Sequence, residues 1–233
     1  MSDIIKIKEL NKKFGTKHVL KNINLNIKEG KITGILAPNG AGKTTLMKTI
    51  CNLYKANTGD IVVNEIPVGY ETKEFISFMP DDSHLFRWMK VKDAINYYKD
   101  MFRDFDTNRS NSLCELLKID KNEDIKIMSK GMKERVLLML TLSRNAKIFI
   151  LDEPLGGIDI VAKDKILKAI LEIFDGRQTM VVSTHLVKDV ENILDEVIFM
   201  NDGEIIFSGN SEEIREQKGK SIENYYLEVF ENV

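Results

Sequence analysis

Apolar residues at Ile5 and Ile7, and again at Ile23, Leu25 and Ile27, alternate with Lys and Asn. A period of two belongs to strands with one wet face, so the pattern predicts an antiparallel sheet at the start of the chain, with residues 12–18 as a turn. The run 31–36 reads as a buried strand, 58–65 as a turn and strand, and 74–79 as a short strand ended by Pro80. From Val91 the period changes: apolar positions fall at 91, 94, 95, 98, 102 and 105, a helical stripe, and Leu113, Leu116 and Leu117 mark a second helix. Strand character returns at 147–152 and 179–183, separated by a helix at 160–174 and followed by one at 186–194. Beyond Val197 short strands alternate with a charged helix, and residues 225–230 are apolar enough to pack back. The expected fold is α/β, a single domain over 1–233, in which 1–81 and 148–233 form the core and 82–147 an inserted helical sub-domain.

Composition narrows the class. The chain has 233 residues, with 34 basic and 36 acidic side chains for a net charge of −2. No stretch carries the basic excess that a nucleic-acid partner calls for. Cys51 and Cys114 lie far apart in sequence, which fits buried free thiols in a reducing compartment. Apolar runs such as 136–140 fall far short of the about 18 residues a membrane span needs, and the N-terminus has no apolar signal region.

The most specific chemistry sits at 36–45, Leu-Ala-Pro-Asn-Gly-Ala-Gly-Lys-Thr-Thr. It fits the P-loop pattern except that Ala37 replaces the first glycine, a cheap exchange if that residue has negative φ. Gly40 and Gly42 let successive N–H groups point into one concavity, and a helix starting near Lys43 aims its positive end there, an arrangement for a polyphosphate. Lys43 adds charge, and the Thr44 hydroxyl is a hard oxygen ligand suited to Mg²⁺. Asp152 and Glu153 follow an apolar strand, where α/β sheets place active sites, although paired acids are as often a solvated turn. Taken singly, His185 reads as a strand-end residue, Ser129 as a helix N-cap and Phe14 as a small satellite of the core.

Taken together and in order, these motifs resemble the nucleotide-binding subunit of an ATP-binding cassette (ABC) transporter, over essentially the whole chain. Residues 128–132, Met-Ser-Lys-Gly-Met, resemble the family's signature; Asp152-Glu153 resembles the Walker B end with its catalytic glutamate; 155–159 resembles the D-loop, and His185 the switch histidine. The resemblance implies a P-loop NTPase with a RecA-like core, in which two subunits pair head to tail around two MgATP. It implies ATP bound by Phe14, stacked on adenine, and by Ala37, Pro38, Asn39, Gly40, Ala41, Gly42, Lys43, Thr44 and Thr45. Ser129 and Gly131 would contact the partner's γ-phosphate, and Asp159 would orient the opposite site. Asp152 and Thr44 would hold Mg²⁺, Glu153 would polarise the attacking water, and His185 would keep it in line. Asp81 stands where the family has a glutamine that meets Mg²⁺, and Lys130 and Met132 depart from the usual Gly and Gln of the signature. Residues 82–90, including His84, Leu85, Phe86 and Trp88, stand where the family docks its membrane permease, though large apolar groups there equally suit a sub-domain core. The expected role is a peripheral ATPase on the cytoplasmic face of the membrane, powering an ABC-2 type exporter of a drug, antibiotic or amphipathic peptide such as a phenol-soluble modulin. The other readings are a soluble ABC-type ATPase acting on ribosomes or nucleic acid, and an ATP-binding regulatory module with little hydrolysis.

Overall fold

The computed structural model of the chain describes residues 2–82 and 85–231. Strands β1 (Asp3–Phe14) and β2 (Lys17–Lys28) pair antiparallel, with Ile5 opposite Ile27 and Ile7 opposite Leu25. Their isoleucines are buried while Lys6, Lys8, Asn24 and Asn26 face water, as the period of two requires. The turn expected over 12–18 is shorter, because pairing continues through Lys13 opposite His18 and Phe14 opposite Lys17. Gly15, at φ +56°, supplies the left-handed residue of that tight turn. Strands β4 (Thr58–Val63) and β5 (Ile66–Pro67) complete the sheet in the order β2-β1-β4-β5, after β3 (Ile32–Leu36) has entered a second one.

That second sheet has six strands. β3 pairs parallel with β8 (Thr179–Thr184) and β9 (Glu196–Asn201), and β7 (Ile148–Asp152) joins β8 to β6 (Ile76–Met79); β10 (Glu204–Asn210) closes one edge antiparallel. Successive residues of its strands bury on opposite faces. Ile35, Ile150, Val181 and Ile198 pack with α1 (Lys43–Ile50) and the antiparallel sheet, whereas Leu36, Phe149, Val182 and Phe199 pack towards the remaining helices. A parallel sheet must be covered on both faces, which is why its strands read as unbroken apolar runs.

Between β6 and β7 lie α2 (Val91–Met101), α3 (Thr107–Leu116) and α4 (Lys130–Leu142). α2 stops before the end of the apolar stripe: Phe102 is already extended, and Phe102 lies under the Arg144 guanidinium at 4.2 Å. After β7 come α5 (Ile160–Ile173), α6 (Val187–Val190), α7 (Ser211–Lys218) and α8 (Ile222–Glu231). The helix expected over 186–194 is only the four residues of α6. Leu194 drops onto Gly34 and Asp195 bonds both the N–H and the carbonyl of Ile32, which returns the chain to the sheet. Tyr225 and Tyr226 of α8 pack back on Phe199, Tyr225 also meets Phe207, and Phe230 packs on Tyr226 and the core, as expected. Both cysteines are free and buried, and among the described residues no helix is long and apolar enough to cross a membrane.

Candidate active site

β3 delivers the chain to the loop before α1 at the carboxyl edge of the parallel sheet. Gly40 and Gly42 have φ of +83° and +106°, and a Cβ on Gly42 would also meet Met200 Cε at 3.0 Å and the Val19 carbonyl at 3.1 Å. Only glycine serves there. Ala37, buried and with negative φ, donates its N–H to the Thr184 carbonyl, so the missing first glycine costs the loop nothing visible. The turn between β9 and β10 pins the loop from outside: the Gly203 N–H donates to Ala41 O at 3.0 Å, and Gly203 O accepts from the Lys21 N–H at 2.8 Å.

Lys43 is 5% exposed and already engaged. Its amine donates to Ala37 O at 2.9 Å and Pro38 O at 3.2 Å, and lies 3.0 Å from Glu153 Oε1 as an ion pair without hydrogen-bond alignment. The other oxygen of Glu153 is 3.0 Å from His185 Nδ1, so the carboxylate spans the gap between the loop lysine and the end of β8. Glu153 holds a left-handed backbone, φ +50°, fixed by its N–H on Ser183 O and its carbonyl accepting from Gly156 N–H. Such a conformation costs a non-glycine residue about 1 kcal/mol, and strain of this kind collects at functional sites.

Asp152 is fully buried. Ser183 Oγ donates to its Oδ1 at 2.5 Å, and Oδ2 has no hydrogen-bond partner. Burial holds its pKa above the usual carboxylate range against the pull of Ser183 and Thr44, with the charges of Asp81 and Glu153 adding to the rise. An orphaned buried oxygen beside a hydroxyl and within the field of a second carboxylate is a hard donor set that fits Mg²⁺. Among the described residues no three His, Cys, Asp or Glu side chains cluster to hold a metal by themselves.

Lys43, Thr44 and Glu153 open on a cleft of about 410 Å³ whose lining also includes Phe14, Lys17, Val19, Asn39 and Asp81; His185 and the buried Asp152 are not part of that lining. A wider groove of about 920 Å³ lies against the antiparallel sheet, but its mixed charges, Lys6 and Lys28 facing Asp60 and Glu196, bring no reactive groups together.

The family model described as ABC transporter matches residues 20–156, from β2 through the Asp152-Glu153 pair. An uncharacterized ABC transporter ATP-binding protein of Methanocaldococcus jannaschii is 32% identical over 219 residues, 92% of this chain and 80% of that protein. The chain belongs to the ABC transporter family. Within it, the chain is an ATP-binding subunit and an ATPase. A lantibiotic transport ATP-binding protein of Streptococcus pyogenes is 31% identical, over 87% of this chain and 89% of its own. Among solved structures, the ATP-binding subunit of an ABC transporter superposes with a TM-score of 0.87 at 22% identity, covering 97% of this chain and 99% of that one. A dimeric post-hydrolysis cassette bound to ADP and Pi gives 0.79 at 23% (88% and 98%), and both establish the fold. The cbiO1 subunit from Clostridium perfringens, part of the ABC transporter complex cbiONQ, gives 0.75 at 29% over 94% and 93% of the two chains.

Not every residue singled out in this ABC chain meets the cleft. Ser129 caps α4, its Oγ accepting from Met132 N–H at 3.3 Å, Gly131 follows in the first turn, and Asp159 caps α5. None of the three lines the cleft. Lys130 reaches back to Glu134 at 3.4 Å, and Glu134 is itself buried with one oxygen unpartnered. His84 lies outside the described residues. Leu85 packs against the core, whereas Phe86 and Trp88 are exposed and stacked on each other at 5.9 Å, so the apolar stretch is part core and part surface. Ser183, Lys17 and Val19 escaped sequence reasoning, although a serine next to the end of an otherwise apolar central strand is a signal that something polar must be met there.

Proposed function

We propose that two copies of this chain close around two MgATP and that the resulting cycle drives a separate membrane permease, most simply one exporting an antibiotic or amphipathic peptide. The observation that carries the reading is Glu153, held 3.0 Å from both Lys43 and His185 at the mouth of the loop cleft. A carboxylate so placed accepts a proton from water at the γ-phosphate, with His185 fixing the line of attack and Lys43 taking up charge on the phosphates. Bound at Asp152, Thr44 and Asp81, Mg²⁺ supplies charge neutralisation of the phosphate oxygens. Ser129, Gly131 and Asp159, which stay off the cleft of their own copy, are assigned to the cleft of the second. Phe14 supplies a face for adenine beside the loop, and residues 82–147 are the helical unit that presents Ser129.

The likeness to a lantibiotic transport protein supports an antibiotic or peptide cargo, and the exposed Phe86 and Trp88 support a contact with the permease. Glu153→Gln keeps the shape but removes the base. Its expected outcome is a loss of Mg-dependent turnover of at least about a hundredfold, with ATP still bound and the dimer trapped in gel filtration. A wild-type protein that binds ATP but hydrolyses none, even with its permease reconstituted, would make the chain a regulatory binding module instead.

A further inference from the structure

Phe14 stands at the end of β1, 44% exposed. Its aromatic contact comes from the segment that follows α1. The Tyr54 ring meets Phe14 at 5.3 Å and 79°, the edge-to-face arrangement that aromatic quadrupoles prefer. The Lys12 amine lies over both rings, 4.8 Å from Phe14 and 5.8 Å from Tyr54, and is itself tethered to the Lys55 carbonyl at 2.7 Å. Tyr54 in turn belongs to the phosphate side. Its N–H donates to the Lys48 carbonyl of α1 at 3.1 Å, and the Lys48 amine sits 5.7 Å from its ring. A chain of contacts therefore runs from α1, whose first residue is Lys43, through Tyr54 to Phe14 of the antiparallel sheet.

We propose that Tyr54 is a positioning residue for the nucleotide: it sets the Phe14 ring, and through it the base, at a fixed distance from the phosphate loop. The inference rests on the reading of Phe14 as the base platform, and the experiment separates the two. ATP and inorganic tripolyphosphate, which has no base, are titrated calorimetrically into wild type, Phe14→Ala, Tyr54→Leu, Tyr54→Phe and the Phe14→Ala/Tyr54→Leu double variant. Tyr54→Leu keeps apolar bulk at this half-buried position but removes the ring, and Tyr54→Phe keeps the ring. The expected result is ATP affinity about two- to tenfold weaker in Tyr54→Leu, the range an aromatic pair contributes, and restored in Tyr54→Phe. Tripolyphosphate affinity stays the same throughout, and the double variant binds ATP no more weakly than Phe14→Ala alone, because both changes remove one interaction. Equal losses for ATP and tripolyphosphate, or additive losses in the double variant, overturn the role of Tyr54. An unchanged ATP affinity in Phe14→Ala removes the base platform itself, and the inference with it.

Discussion

Glu134 sits in α4 with 4% exposure, one oxygen near the Lys130 amine and the other without a partner. Burial holds its pKa above that of a free glutamate; Lys130 opposes this and Asp81 adds to it. Folding therefore disfavours the anion. In acid, below the free-glutamate pKa, folded and unfolded chains are both protonated and nothing is lost; above it the unfolded chain ionises first, and stability falls until the pH reaches the raised pKa of the folded chain, beyond which the loss is constant. Glu134→Gln should raise the melting temperature at pH 8 by about 2–4 °C, and the gain should shrink to nothing near pH 4. A melting series across that window tests it, and a gain independent of pH would contradict it. The same burial logic applies to Asp152, whose second oxygen is likewise unpartnered. None of this was legible in the sequence. Glu134 falls in an ordinary amphipathic run, and its burial depends on packing against elements far off in the chain.

Among the elements, α3 shows how local signals set boundaries. Asp106 Oδ1 accepts from the N–H groups of Asn108 and Arg109 at 2.9 and 3.0 Å, satisfying two donors that the first turn leaves open. Asp106→Ala should cost about 1 kcal/mol of stability, read in urea unfolding, with ATP turnover per folded molecule unchanged. The periods of two and of 3.6 made most elements readable, because each is imposed by a face that must be buried. The exceptions share a cause. The hairpin turn closed tighter than 12–18 because strand pairing with β2 outlasted the apolar pattern, and α6 stopped after four residues because Leu194 and Asp195 found β3. The loop at 36–45 was legible since its chemistry is contiguous. The meeting of Lys43, Glu153 and His185 was implied only by the family resemblance, because segments far apart in the chain come together only when the sheet forms.

At the scale of the molecule, two sheets grip α1 from one side while the helices between β6 and β7 cover the other face of the core. The surface beyond those helices carries Trp88 at 75% exposure, stacked on Phe86, which meets Tyr97 edge-on at 5.9 Å. Exposed aromatic clusters are enriched where partners dock. Trp88→Ala is expected to leave the ATPase activity of the isolated chain intact and to reduce co-purification with the permease; equal recovery would place the contact elsewhere. The pinning of the phosphate loop by Gly203 has a wider consequence. A hairpin turn more than 150 residues downstream ties the loop to the antiparallel sheet, so the disorder that a glycine-rich segment would otherwise carry is removed when the chain folds. ATP then meets a mould already set, its capture costs little ordering, and a copy that has folded is in the same act competent to bind.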